Sequence, residues 1–291
     1  MDNLKNNPFL QGLETGSDFQ SLTPQELAQI KADDYNAMNG SLDQQDGYCC
    51  TACKNRGDIA VVAQNEMFGY FYEALKPCKC IRIRNALRRL NKAGLHNVVK
   101  EYTFDRYQTP EKWQESVKQK AMRFCQDDKH HWFFIGGQSG AGKSHLGTAI
   151  AVHYIRQGLD AIYMQWLEDI ERLKSLSFSK ETEKYEALMK SFKETPVLYM
   201  DDLFKAGNGM DTNDTPFSQA DVKRTFEIIN HRYNNPGLIT IISSEKTITR
   251  MASVDQALAG RIAERTQNAG YCCNIGDDIQ KNWRLKNMED L

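Results

Sequence analysis

From residue 113 onward, short apolar runs alternate with segments of helical periodicity. The runs Trp132–Ile135, Ala161–Gln165, Val197–Asp201, Leu238–Ser243 and Tyr271–Ile275 read as strands. Helices are expected near 113–127, 143–157, 166–174, 181–193, 217–234 and 255–266. Short, mostly apolar strands separated by helices of this length predict an α/β domain, a parallel sheet covered on both faces.

The first half reads differently. About 45 residues rich in Asn, Gln and Asp hold one short helix, with Thr23 as N-cap and Pro24 at its first position. A hairpin is expected from Ile59–Ala63 and Phe68–Tyr72, then a basic helix over 81–93 that ends at Gly94. Glu101–Pro110 has the character of a linker. These readings divide the chain into a polar, acidic, partly ordered leader (1–47), a small module with the basic helix (48–95), a linker (96–112) and the large domain (113–291). There is no internal repeat.

Charge changes the picture locally. The net charge is -1, yet residues 1–48 carry eight acidic and two basic side chains, whereas 76–92 carry seven basic ones and no acidic one. Such a run is ordinarily a solvated helix face; a partner surface is the sharper alternative. No apolar run approaches the roughly 18 residues of a membrane span. Met1-Asp2-Asn3 lacks the start of a signal peptide. The expectation is a cytoplasmic protein with no membrane partner.

Chemistry concentrates after the first strand of the large domain. Gly137-Gln138-Ser139-Gly140-Ala141-Gly142-Lys143-Ser144 matches G-x-x-x-x-G-K-[ST] in full, between a predicted strand and a predicted helix. Glycines let backbone N–H groups turn inward around phosphate, and the helix N-terminus adds its positive dipole end. Lys143 would reach the β and γ phosphates of ATP, and the Ser144 hydroxyl would ligate Mg²⁺. His145 follows directly. The strand Val197–Asp201 ends in Asp201 and Asp202, the place where ligands sit in open α/β sheets. Asp201 would hold Mg²⁺ and Asp202 would polarise the attacking water. Ser244, at the end of the next strand, would sense the γ-phosphate or that water; a serine at a strand end is equally common as a cap. Arg261 and Arg265, four apart on one helix face, are candidates for a guanidinium supplied to a neighbouring subunit's nucleotide; a surface ion pair is the plainer reading.

These residues carry a family resemblance. Gly140–Ala151 closely resembles the phosphate loop and first helix of bacterial and phage replicative-helicase loaders of the DnaC/DnaI type. Cys50-x-x-Cys53 with Gly57, Cys78-x-Cys80, Ala93-Gly94-Leu95 and Thr103-Phe104-Asp105 fit the same pattern. Arg261–Gly270 is similar to the arginine-finger helix of loaders and of the related replication initiator, and Asn282-Trp283-Arg284 to the Ser/Asn-aromatic-Arg element near loader ends. The resemblance spans about 48–285. It implies an AAA+ fold, binding of ATP or ADP with Mg²⁺, self-association through a heterologous interface, and delivery of a hexameric replicative helicase onto single-stranded DNA. It also implies Arg265 as the finger, with Arg261 beside it. Two departures stand out. Asp202 replaces a Glu common among AAA+ enzymes, which points to slow, switch-like hydrolysis, and Glu245 stands where the family usually has Asn.

Five of the eight cysteines lie between 49 and 80. Cys50, Cys53, Cys78 and Cys80 can supply four thiolates to a closed structural Zn²⁺ site, with Cys49 as a substitute for Cys50; reduced core thiols are the alternative. By resemblance this module contacts the helicase. Leu173–Lys193 mixes lysines and aromatics, among them Lys174, Phe178, Lys180 and Tyr185, where loaders place an inserted helix that tracks single-stranded DNA. A transposition helper ATPase shares the core and DNA binding and is the closest rival. A small-molecule kinase would need a substrate lid that the sequence does not offer.

Overall fold

The computed structural model describes residues 22–92, 98–205 and 218–284. The expected element at Ala93-Gly94-Leu95 and most of the leader's first half lie outside them. The chain divides into two compact units, Met1–Ile81 and Arg82–Leu291.

In the first unit, α1 (Pro24–Ala37) starts as expected: the Thr23 side chain accepts from the Glu26 amide, and Glu26 reaches back to Thr23. A second helix, α2 (Leu42–Asp46), follows and ends at Gly47 in the left-handed conformation. The hairpin is β1 (Asp58–Gln64) paired antiparallel with β2 (Phe71–Pro77). Its second strand begins three residues later than expected. Asn65 accounts for the shift, because its side chain accepts from the amides of Met67 and Phe68 and its backbone N–H donates to Tyr70. Residues 65–70 are thereby consumed in the turn. Asn36 of α1 bonds both the N–H and the C=O of Ala60, satisfying the outer edge of β1.

Helix α3 (Cys80–Lys92) carries the basic run. Arg82 and Arg89, one face of it, both reach Asp160 at 3.2 Å.

The second unit continues through α4 (Val98–Glu101), α5 (Lys112–Gln126), β3 (Trp132–Gly137), α6 (Lys143–Arg156), β4 (Ala161–Gln165), α7 (Trp166–Phe178), α8 (Thr182–Glu194), β5 (Val197–Asp201), α9 (Gln219–Asn234), β6 (Ile239–Ser244), α10 (Ile248–Ala252), α11 (Gln256–Thr266) and β7 (Cys272–Ile275). The sheet is parallel throughout in the order β4-β5-β6-β3-β7. Strands β3, β5 and β6 are buried at every position, which explains the apolar runs that open them; their polar residues gather near the strand ends. The chain leaves β3, crosses to the edge at β4, returns through β5 and β6, and closes with β7 on the other side of β3. This path brings the ends of β3, β5 and β6 to one edge of the sheet. A large apolar core including Trp132, Phe134, Met164, Trp166, Met200 and Ile242 underlies that edge.

Arg232 is fully buried and, among the described residues, has no carboxylate partner. Its guanidinium donates to the carbonyls of Phe192, Lys193, Thr195 and Ile239 and to Thr240 Oγ1. The charge is spread over carbonyls at the C-terminal end of α8, where a helix favours a cation. Among the described residues no helix is long and apolar enough to cross a membrane.

Candidate nucleotide-binding site

A pocket of about 350 Å³ opens over the loop between β3 and α6. Ser139 to His145 line it, together with Asp202, Lys205, Glu245, Trp283 and Arg284. The loop has the conformation its glycines allow. Gly137 has φ +116, and a Cβ there would sit 1.8 Å from the Ile275 carbonyl oxygen. No other residue fits this passage between strands. The Lys143 ammonium donates to the carbonyls of Gly137 and Gln138 at 3.0 and 2.8 Å, folding its chain back along the loop. Burial pulls its pKa below the usual lysine value, while Glu245, Asp202 and Asp201 act in the opposite direction.

Ser144 donates its hydroxyl to Asp201 Oδ1 at 3.1 Å. Two hard oxygen donors, one from the first turn of α6 and one from the end of β5, thus come into mutual reach, a donor set that fits Mg²⁺. Asp202, next in sequence, has φ +56 and Phe204 has φ +58. Left-handed backbone is tolerable for Asp but costly for Phe. The turn is held by Ser243, whose hydroxyl accepts from the Asp202 amide and whose carbonyl accepts from the Leu203 amide. Phe204 is buried against the Trp166 ring. The turn presents Asp202 to the pocket beside Lys205, 2.8 Å away, and Glu245 lies 3.6 Å from the same ammonium. Burial works against charge on Lys205, but the two carboxylates outweigh it and its pKa is raised.

Several expected residues sit elsewhere. Ser244 does not face the acidic pair: its hydroxyl donates to the Leu203 carbonyl. Ser243 makes that contact instead, donating to Asp201. Successive residues of a strand point to opposite faces, so a serine pair offers one to each side. Arg261 and Arg265 are absent from the pocket lining of their own chain. Arg261 bonds Asn230 and lies over the Phe226 ring; Arg265 bonds the Tyr233 carbonyl and lies over the Tyr233 ring. Among the four DNA candidates, Lys174 is paired with Glu171 and with the fully buried Asp221, and Tyr185 packs against the core. Lys174 is thus held by two carboxylates, and Tyr185 is partly buried. Phe178, 84% exposed, and Lys180 remain at the turn between α7 and α8.

The segment read as a linker contributes to the pocket. Tyr102, Arg106, Tyr107 and Gln108 line it. Tyr102 stacks on His145 with centroids 4.7 Å apart, and His145 Nε2 donates to the Thr103 carbonyl at 2.8 Å. That bond fixes the neutral tautomer, and burial lowers the pKa of the ring. The near-terminal Asn282-Trp283-Arg284 also docks here, with the Trp283 amide donating to the Gly140 carbonyl.

In the first unit, the thiols of Cys50, Cys53, Cys78 and Cys80 lie within 4.8 Å of one another, all buried. Cys50–Cys78 and Cys53–Cys80 are 3.8 and 3.5 Å apart. Four sulfurs at about 2.3 Å from one ion in a tetrahedron would be roughly 3.8 Å apart, so the cluster fits zinc. Burial pushes the Cys53 thiol up, but the Gly57 amide and the neighbouring sulfurs outweigh it and bring it down to about 7. Cys49 is exposed and outside the cluster, which leaves Cys50 as the residue in place.

A phosphate-cradling loop at the carboxyl edge of a parallel sheet, faced by a strand-end aspartate, defines a P-loop ATPase of the AAA+ type. The chain belongs to the IstB-like ATP binding protein family, whose model matches residues 54–288. It is 30% identical over 226 residues to the phage-like element PBSX protein XkdC of Bacillus subtilis (strain 168), covering 75% of this chain and 79% of that protein. An uncharacterized protein of the same organism, YqaM, is 28% identical over 225 residues, covering 74% and 68%. Among solved structures, DnaI aligns with a TM-score of 0.46 and 21% identity over 62% of this chain and 92% of that one. The DnaC helicase loader aligns at 0.44 and 23%, over 61% and 96%.

Proposed function

We propose that this ATPase is a helicase loader: it binds a hexameric replicative helicase and delivers it onto single-stranded DNA, with slow ATP hydrolysis as the switch. The observation that carries this reading is a four-thiol module built as a unit of its own ahead of an ATPase core. The resemblance of both parts to loaders supplies the partner.

In this reading Lys143 and the amides of Ser139–Ser144, which line the pocket, hold the nucleotide phosphates, and Ser144 and Asp201 would hold Mg²⁺. When bound, the metal would supply charge neutralisation at the phosphates. Asp202 polarises the attacking water, with its reach limited by the ion pair to Lys205. Arg265, outside its own pocket and anchored on Tyr233, serves a neighbouring subunit in a heterologous interface, with Arg261 supporting it. DNA contact rests on Phe178 and Lys180, an exposed ring and an exposed cation at one helix turn.

Mixing the protein with hexameric replicative helicase, and separately with a transposase, and sizing the complexes with ATP and with ADP tests the proposal. A nucleotide-dependent complex with the helicase is expected. Capture of transposase alone would move the protein to the transposition-helper class, which shares the core.

A further inference from the structure

The carboxylate of Asp201 is enclosed by hydroxyls. Oδ1 accepts from Tyr199 at 2.8 Å and from Ser144 at 3.1 Å, and also from Ser243; Oδ2 accepts from Tyr163 at 2.8 Å. The two tyrosines are neighbours by sheet register. Tyr163 of β4 pairs with Tyr199 of β5, Gln165 pairs with Asp201, and the rings lie 5.3 Å apart. Residues 199 and 201 share one face of β5, so the Tyr199 hydroxyl is delivered along its own strand to the carboxylate two positions on.

Room for the Tyr199 ring comes from α6. A Cβ on Gly147 would meet Tyr199 Cζ at 2.4 Å and its hydroxyl oxygen at 2.5 Å. Glycine in a helix interior is less favourable than alanine, so its presence here calls for a compensating contact. The ring is that contact.

We propose that Tyr163 and Tyr199 are positioning residues of the divalent-cation site: their hydroxyls fix the plane of the Asp201 carboxylate, so that Oδ1 faces Ser144. The inference rests on the nucleotide-site reading above and deepens it. An aspartate's terminal torsion is broad and roughly two-fold, so an unrestrained carboxylate presents its oxygens over a wide arc. Donors on both oxygens, from two adjacent strands, remove that freedom before any ion arrives. Hydroxyl groups are suited to this because they hold the carboxylate without neutralising it, as a lysine or arginine would.

Tyr163→Phe, Tyr199→Phe and Gly147→Ala test the proposal by equilibrium binding of a fluorescent ATP analogue, with and without titrated Mg²⁺. Phenylalanine keeps the ring packing, and thermal unfolding checks the fold. Second-sphere partners of metal ligands are typically worth about 10-fold or more in metal affinity. Each tyrosine variant should therefore need about 10-fold more Mg²⁺ to reach half its effect on nucleotide affinity, with metal-free binding unchanged. Gly147→Ala should shift it in the same direction by displacing the ring. Mg²⁺ responses equal to wild type in both phenylalanine variants overturn the inference, as does an equal loss of metal-free binding. A wild-type protein whose ATP binding ignores Mg²⁺ would instead bring down the nucleotide-site reading itself.

Discussion

Tyr107 occupies the space a side chain at Gly142 would need: a Cβ there would lie 2.8 Å from Tyr107 Cε2, and Gly142 has φ +77. The ring is buried, meets His145 edge-on at 5.2 Å, and places its hydroxyl 3.5 Å from the Ala141 carbonyl. The segment before the large domain therefore braces the phosphate loop from outside. Tyr107→Ala should destabilise the second unit by about 3 kcal/mol, in the range for a large aromatic truncated in a core. Nucleotide affinity should fall with it, measured by isothermal titration well below the melting temperature. Unaltered affinity would show that the loop holds its shape unaided.

Lys143→Ala removes the charge the loop carries for phosphate. Charge-assisted hydrogen bonds are worth about 1.5–3 kcal/mol each, so loss of two predicts a weakening of roughly a hundredfold or more in ATP binding. Retained affinity would falsify the phosphate assignment.

Elemental analysis of purified protein should give about one zinc per chain. Cys53→Ser and Cys78→Ser should lose the metal and unfold the first unit, seen as new protease sensitivity before residue 82. Cys49→Ser should keep both, because that thiol lies outside the cluster.

Asp169, in the first turn of α7, has its pKa raised to about 6, chiefly by burial. The sign follows from which state binds the proton. Between the ordinary carboxyl value and about 6 the folded form holds more protons, so this group's contribution to stability falls as pH rises through that window. Asp169→Asn should flatten that slope and stabilise the protein at pH 7 by about 1–2 kcal/mol. Denaturant melts at pH 4.5 and 7 check it, and a variant less stable at pH 7 than wild type would contradict it.

Arg265→Ala should leave ATP binding near wild type, because the residue lies away from its own pocket, and reduce hydrolysis in assemblies. Mixtures of variant and wild-type subunits should depart from proportional activity if the arginine serves its neighbour. A strictly linear mixing curve would count against that role.

How much of this was open to reading without coordinates varied by element. The strands of the large domain and the phosphate loop were legible because both depend on local rules: an apolar run long enough for a buried strand, and glycines at a fixed spacing before Lys143. The hairpin's second strand was misplaced because the turn is set by the Asn65 side chain, which sequence periodicity does not register. Ser243 and Ser244 could not be told apart, since which of two adjacent strand residues faces Asp201 depends on the sheet's orientation. Tyr102 and Tyr107 went unread because a segment without periodicity gains its role only from what it is packed against. That Lys174 is paired and Tyr185 packed was not legible, because charge and aromaticity do not reveal a buried partner such as Asp221.

By itself, then, the sequence determined an α/β ATPase core, the loop that cradles phosphate, the strand-end aspartates and the four cysteines, since each is specified by residues close together in the chain. Only the tertiary structure decided that Tyr163 and Tyr199 enclose Asp201, that Lys205 and Glu245 share the pocket with Asp202, and that Cys50 rather than Cys49 completes the thiol cluster. These relationships join residues far apart along the chain or choose between adjacent ones. They arise from sheet register and turn geometry, which only packing fixes.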